Sequence, residues 1–535
     1  MASVGIFSTG ILFATALVVV VTTIYLFFHK KQLPLPPGPR GIPLLGNVLD
    51  LPPKGGRDCE HWLKFKDTYG PISSITVLGT TFVILHSPEL TSELLENRSS
   101  KYSSRPSLIF AEANGWSDAL TLMKYDKAYR RRRKITHTLV GTKMNVAPYL
   151  PLQDVEVHRF LFRTLQEPER FLEHIKTEAA AFILKLIYGY TVEPHKPDPL
   201  VELVDEAMTH FSATVVPGAW LVDSIPALRY IPEWMLGGGW KKTARAWRAV
   251  LRETVEKPLQ FARQHITSDD QNRSFVRDFY DEKGAGITSR DQEDFKWAAT
   301  TLYGGGADTT VNTISAFFLA MILFPDVQRK AQDEIDRVVG THRLPTFDDR
   351  KSLPYIEALL TEAWRWHSVG PLGVPHASSA EDIVNGYRIP KGSIIVSNIW
   401  WYTHDPSVYT DPYIFNPERF MGPNPQSDPV PYTFGYGRRI CPGRFIADSS
   451  VWLTIVRSLA VFNISKGLDE NGRETEPNVQ FLPGLISRPA DFKATIKPRS
   501  PEHEALIRQL EELHPWEESN AAEIREMKIQ TISSW

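Results

Sequence analysis

Two stretches of this chain combine residue types that could do redox or acid–base chemistry. The first is Phe434-Gly435-Tyr436-Gly437-Arg438-Arg439-Ile440-Cys441-Pro442-Gly443, a single cysteine in a glycine-rich, basic loop. A thiolate is a soft ligand for iron and must be ionised to bind. Arg438 and Arg439 supply positive charge beside it. Gly437 and Gly443 allow the backbone to turn tightly, so that amide N–H groups can point at the sulfur. An apolar helical pattern runs from Arg444 to about Val461, and its N-terminus favours an anion. A lone cysteine in an arbitrary loop is more simply a buried thiol; here the flanking residues favour a ligand. The second stretch is Gly304-Gly305-Gly306-Ala307-Asp308-Thr309-Thr310, inside an apolar helical run from about Phe295 to Leu323. Three glycines within a helix cost about 1 kcal/mol each relative to alanine. Close approach of a flat ligand with a local opening of the helix would account for them; so would a helix break. Asp308 and Thr309 are an acid and an alcohol suited to moving protons in a dry pocket.

These residues need a large scaffold, and the chain supplies one. It has 535 residues, a net charge of -2 and 42% hydrophobic residues, the profile of a globular enzyme rather than a nucleic-acid-binding protein. Long helix-period segments dominate from about residue 88 to 370. Alternating apolar sequence at Ile72–Leu85 predicts a β-hairpin turning near Gly79-Thr80, and short strand-like runs recur at Ile383–Ile389 and Ser393–Asn398. The fold class is therefore mainly α with a small β region. Residues Gly5 to Phe28 are uncharged and long enough to span a bilayer, and His29, Lys30 and Lys31 follow at once. A retained anchor over 1–31 with the following domain in the cytosol is the expectation; a cleaved signal peptide is the alternative. The proline-rich stretch 32–47 reads as a stiff hinge, 48–500 as one catalytic domain, and 501–535 as an acidic, solvated helical tail. Only Cys59 and Cys441 occur, which points to a reducing compartment. Gly237–Gly239 lacks the further glycine of a dinucleotide loop, and no flavin module is appended.

The cysteine loop matches the pattern Phe-x-x-Gly-x-Arg-x-Cys-x-Gly at Phe434, Gly437, Arg439, Cys441 and Gly443, and through it the chain resembles the cytochrome P450 family. The resemblance runs from the hinge to about residue 500. It implies that Cys441 is the axial thiolate of haem b and the metal ligand. Gly304–Thr310 resembles the family's oxygen-activation motif, which implies a proton relay through Asp308 and hydrogen bonding to dioxygen through Thr309. Glu362 and Arg365 stand at i, i+3, a spacing shared by Glu167/Arg170, Glu334/Arg337 and Glu470/Arg473 and uninformative alone. With Asn416-Pro417-Glu418-Arg419-Phe420 they resemble the family's structural triad, here Glu362, Arg365 and Arg419. Tyr129-Arg130-Arg131-Arg132-Arg133 resembles a Trp-x-x-x-Arg element with tyrosine in place of tryptophan. Tyr129, Arg133, Arg439 and His376 are the implied partners of the haem propionates. The other arginines of that run are candidates for a solvated face or a reductase-docking surface. Val216–Asp223 and Gly484–Pro489 resemble a fungal branch active in secondary metabolism.

The resemblance further implies an endoplasmic-reticulum membrane enzyme that takes electrons from NADPH through a separate cytochrome P450 reductase, with cytochrome b5 as a candidate second donor. Its substrate would be a lipophilic small molecule contacted by Arg105–Trp116, Phe211–Trp220, Tyr303, Val369–Val374 and Pro483–Ile486. The competing readings are a broad-specificity detoxification enzyme, a haem-thiolate isomerase or dehydratase, and a non-catalytic lipophile-binding protein.

Overall fold

The structure is a computed structural model that describes residues 33–53, 55–216, 218–266 and 273–529. The expected membrane helix lies outside them. The principal elements, in chain order, are α1 (Asp58–Tyr69), β1 (Ile72–Val77), β2 (Thr80–Leu85), α2 (Lys127–Val140), α3 (Leu150–Gln166), α4 (Phe171–Tyr188), α5 (Pro199–Thr214), α6 (Trp240–Gln264), α7 (Ser289–Leu323), α8 (Pro325–Val338), α9 (Pro354–Trp366), β3 (His376–Ala377), β4 (Asp382–Val384), β5 (Tyr387–Ile389), β6 (Ile394–Ser397), α10 (Arg444–Val461), β7 (Phe462–Lys466), β8 (Ala494–Pro498) and α11 (Pro501–Arg508). One sheet has the order β1-β2-β6-β3, with β2 and β6 parallel. The run expected as one strand at Ile383–Ile389 is a hairpin, β4 to β5, because Asn385 and Gly386 both take positive φ.

The centre of the molecule is α7, 35 residues and about 52 Å long. A capping box starts it: Thr288 Oγ1 accepts from Asp291 N, and Asp291 accepts from Thr288 N. Its middle is buried on nearly all sides, which is why it reads as apolar without a strong stripe. The side chains of Phe317, Phe318, Ile314 and Met321 pack into one core with α3, α4, α9 and α10. The three glycines do not open the helix; it runs unbroken through them. Two have a packing reason. A Cβ on Gly306 would lie 2.5 Å from Ile183 Cγ1 of α4, and one on Gly304 would lie 3.0 Å from Met208 Sδ of α5. Gly305 has no protein atom within 4 Å of that position.

Two expectations about the chain's ends are corrected. The proline-rich hinge is not a free spacer: from Pro34 onward it docks on the sheet. Ser74 N donates to Pro37 O at 2.8 Å, Ser74 Oγ to Pro36 O at 2.6 Å, and Asn47 N to Thr76 O at 2.7 Å. The C-terminal segment is not a solvated tail. Leu506, Ile507, Leu510 and Ile524 are buried, Trp516 lies against the guanidinium groups of Arg159 and Arg163, and Glu517 pairs with Arg159 and Lys185 at 3.2 and 2.7 Å. Apolar side chains spaced among the acidic ones give this segment something to bury.

Candidate active site

The cysteine loop is closed by a 2.7 Å hydrogen bond from Cys441 N to Phe434 O. The Phe434 ring meets Trp364 of α9 edge-on at 5.0 Å, tying the loop to the helix that carries Glu362. Gly437 is required: its φ is +50°, and a Cβ there would lie 2.5 Å from Leu95 O. Gly443 serves differently from the expectation. Its φ of −87° suits any residue, and no protein atom lies within 4 Å of a Cβ built on it. It leaves space beside the sulfur rather than permitting a turn. As N-cap of α10 it offers no side chain, and the first amides of the helix go to the cysteine instead. The N–H groups of Gly443 and Arg444 donate to Sγ. Burial pushes the Cys441 thiol up; these amides and the charges of Arg133 and Arg444 pull it back toward the thiolate.

Around Tyr129 the chain collects buried positive charge. The Arg439 guanidinium sits 3.7 Å from the centre of the Tyr129 ring and donates to the carbonyls of Ser103, Leu120 and Met123. Tyr129 itself donates to Arg438 O at 2.8 Å, so its phenol braces the cysteine loop rather than pointing to a ligand. His376 is buried and hydrogen-bonds Tyr102 O through Nδ1 at 2.7 Å. Burial, with Arg105 and then Arg439 nearby, keeps its imidazole neutral. Arg105, expected on a substrate wall, is in this cluster: it donates to Thr121 O, Val374 O and Pro375 O. It follows no motif, and only the folded loop brings it to Arg439. Arg133 has no hydrogen-bonding or ion-pair partner among the described residues. No described carboxylate pairs with Arg105, Arg133, Arg439 or His376. Buried cations are normally paired. A cluster of them beside a thiolate therefore fits a ligand that brings its own carboxylates and a thiophilic metal. Haem b, with two propionates and iron, meets both demands. The neighbours Arg131 and Arg132 are not a free basic face: both donate to Asp294 at the start of α7.

Asp308 and Thr309 lie half-buried on α7. Desolvation, reinforced by Asp205 and opposed by Arg488, Lys176 and Asn312, pushes the Asp308 carboxyl up to about 6. Lys176 and Asp205 pair at 3.1 Å at the partly exposed side of this group. Thr309 Oγ1 donates to Gly305 O at 2.6 Å. Of the expected substrate walls, Trp116 and Phe211 pack together at 4.8 Å, in one cluster with Ala307, Val374, Leu485 and Ile486. Tyr303 leaves the list: it is fully buried and donates to Leu200 O at 2.5 Å.

The triad residues meet. Glu362 accepts from Arg365 Nε at 2.7 Å and Nη2 at 2.8 Å, from Arg419 Nε at 3.2 Å and from Asn416 N at 2.8 Å. The remaining guanidinium donors reach the carbonyls of Thr403, Thr410 and Ile414. Glu334, dismissed on spacing, also has a role. It is buried on α8 and accepts from the amides of Tyr355 and Ile356, capping α9 in place of an N-cap side chain.

Comparison with known proteins agrees with this geometry. The family description "Cytochrome P450" matches residues 36–493. The chain is 43% identical over 484 residues to the multifunctional cytochrome P450 monooxygenase af510 of Aspergillus fumigatus, covering 89% of this chain and 90% of that one. It is 45% identical over 500 residues to the cytochrome P450 monooxygenase claR of Ampulloclitocybe clavipes, covering 92% of each. It is 38% identical over 494 residues to the O-methylsterigmatocystin oxidoreductase of Aspergillus flavus, covering 92% of this chain and 93% of the relative. A thiolate capped by helix amides, an anion-seeking cationic cluster and a match across nearly the whole chain lead to one assignment: this chain belongs to the cytochrome P450 family and is a haem-b-dependent monooxygenase.

Proposed function

We propose that this chain hydroxylates, or oxidises in successive steps, a lipophilic small molecule in fungal secondary metabolism. Electrons come from NADPH through a separate cytochrome P450 reductase, with the domain held at the cytosolic face of the endoplasmic reticulum by the apolar N-terminal segment. The observation that carries the reading is the intact acid–alcohol pair on the same helix that borders the apolar wall cluster. A haem-thiolate isomerase or a passive lipophile carrier has no use for such a pair.

Bound haem b supplies dioxygen binding and reduction at a thiolate-held iron. The protein does the rest. Cys441 is the ligand, because the other cysteine, Cys59, is packed in the core with its thiol pushed up to about 11. Arg105, Arg133 and Arg439 would hold the carboxylates, while the ring proton of His376 beside them is committed to Tyr102 O. Asp308 takes protons from the side of Lys176 and Asp205 and passes them inward. Thr309, whose own proton is engaged by Gly305, accepts at its oxygen and orients the incoming donor. Trp116, Phe211, Val374, Leu485 and Ile486 exclude water and hold the substrate by apolar contact. The buried Trp116 indole N–H has no partner among the described residues, so it offers one hydrogen-bond donor to an oxygenated substrate. The names of the relatives, one an oxidoreductase of O-methylsterigmatocystin, are consistent with such a substrate class.

The test is comparative metabolite mass spectrometry of the source organism with and without the gene. Loss of one metabolite and accumulation of a precursor lacking one oxygen would support the reading. An unchanged metabolite profile would contradict a dedicated biosynthetic role.

A further inference from the structure

Helices α3, α4, α7 and α10 enclose a small cavity bordered by Gln153, Glu156, Glu178, Gly306, Thr310 and Ser450. It has room for about one water molecule. Its lining is unusual for a protein core. Gln153, Glu156 and Glu178 are 1%, 3% and 3% exposed, yet each is satisfied on one side only. Gln153 Nε2 donates to Ser450 Oγ at 2.8 Å, Arg159 Nη1 to Glu156 Oε1 at 2.7 Å, and Thr454 Oγ1 to Glu178 Oε1 at 2.6 Å. The opposite atoms, Gln153 Oε1, Glu156 Oε2 and Glu178 Oε2, are buried and make no hydrogen bond among the described residues. The Thr310 hydroxyl has no partner among the described residues either. Leaving such atoms unpaired in a protein core is costly. Three acceptors converging on one space call for donors, and a protonated carboxyl plus one water supplies them.

We propose that Glu178 carries a proton and, through a water held in this cavity, is a second proton donor to α7 at Thr310, separate from the Asp308–Thr309 pair. This rests on the reading that the chain reduces dioxygen. Burial pushes the Glu178 carboxyl up to about 8; the Thr454 hydroxyl pulls it down, Glu156 pushes it up further, and Arg163 opposes. No electrons move in the relay. A proton leaves Glu178 Oε2 for the water, the water gives one to Thr310 Oγ1, and Thr310 gives its own hydroxyl proton to the reduced dioxygen that the proposed reaction consumes, leaving Glu178 as a carboxylate. Glu178 recovers its proton from solvent by exchange of the cavity water. Arg159, fixed between Glu156 and Glu517, holds the Glu156 carboxylate in place and carries no proton onward itself.

The test uses the full-length haem protein and Glu178→Gln. In infrared difference spectra at pH 7, the wild type should show one protonated carboxylic-acid C=O stretch that the variant lacks. That band should fade as pH rises through about 8. Glu178→Asp should keep a shifted band. With cytochrome P450 reductase and no added substrate, NADPH oxidation should fall at least about twofold further in Asp308→Asn/Glu178→Gln than in Asp308→Asn alone. Thr310→Val should reproduce the rate loss while keeping the band. A normal ferrous–CO spectrum in each variant reports intact folding. Identical infrared spectra for wild type and Glu178→Gln would overturn the proposal without touching the monooxygenase reading. So would a double variant no slower than Asp308→Asn.

Discussion

Thr309 Oγ1 donates to Gly305 O, one turn earlier on α7, at 2.6 Å. The hydroxyl proton is therefore occupied and the oxygen lone pairs are left to accept, and on the function proposed above Thr309 would hold a donor in place through them. Thr309→Ala should leave NADPH oxidation running but divert it to peroxide, with product per NADPH falling about tenfold, or 1.4 kcal/mol of selectivity. Thr309→Ser should restore most of the coupling. Peroxide and product assays on the reconstituted system check this.

Asp308 should reveal itself through pH. Its carboxyl stands near 6 in the fold against an ordinary 3.8, so between these values the folded state holds more protons than the unfolded one. Stability contributed by that proton is present at low pH and lost as pH rises to about 6. Asp308→Asn never ionises. Its Tm should exceed that of the wild type at pH 8, and the gap should close toward pH 4. Thermal denaturation across that range checks the sign. The rate supported by the acid form should fall in the wild type above pH 6 and be flat in the variant.

The α7 glycines separate packing from ligand space. Gly306→Ala places a Cβ 2.5 Å from Ile183 Cγ1 and should cost about 1–3 kcal/mol. Gly305→Ala meets no protein atom and should raise the stability of the haem-free protein by up to about 1 kcal/mol through helix propensity. Chemical denaturation of the two variants distinguishes them.

Breaking the triad should be severe. Glu362→Gln leaves Arg365 and Arg419 buried without a counter-charge, a loss of about 3–5 kcal/mol. The expected phenotype is poor haem retention and a lowered Tm, measured on purified protein.

What the sequence could and could not reveal follows from distance along the chain. The cysteine loop and the hairpin at Gly79 are local, and their spacing is enough to find them, whereas the Glu362–Arg365 pair stands out from others of the same spacing only beside Asn416–Phe420. Arg105 joins Arg439, and Glu178 joins Thr454, only after chain segments hundreds of residues apart have folded together. Glu334 was hidden for the same reason: its partner is the start of another helix rather than a neighbour on its own. Asp294 neutralises Arg131 and Arg132 from over 160 residues away, which makes a basic run look freer than it is. The docking of the C-terminal segment was obscured by its acidic composition.

The central claim is that the Cys441 thiolate, held by the amides of Gly443 and Arg444, binds haem iron. The most direct measurement is the ferrous–CO difference spectrum of Cys441→Ala beside the wild type. The account predicts that the wild type shows the characteristic thiolate-ligated band and that the variant, even with haem added back, does not. A wild-type band in Cys441→Ala would contradict it.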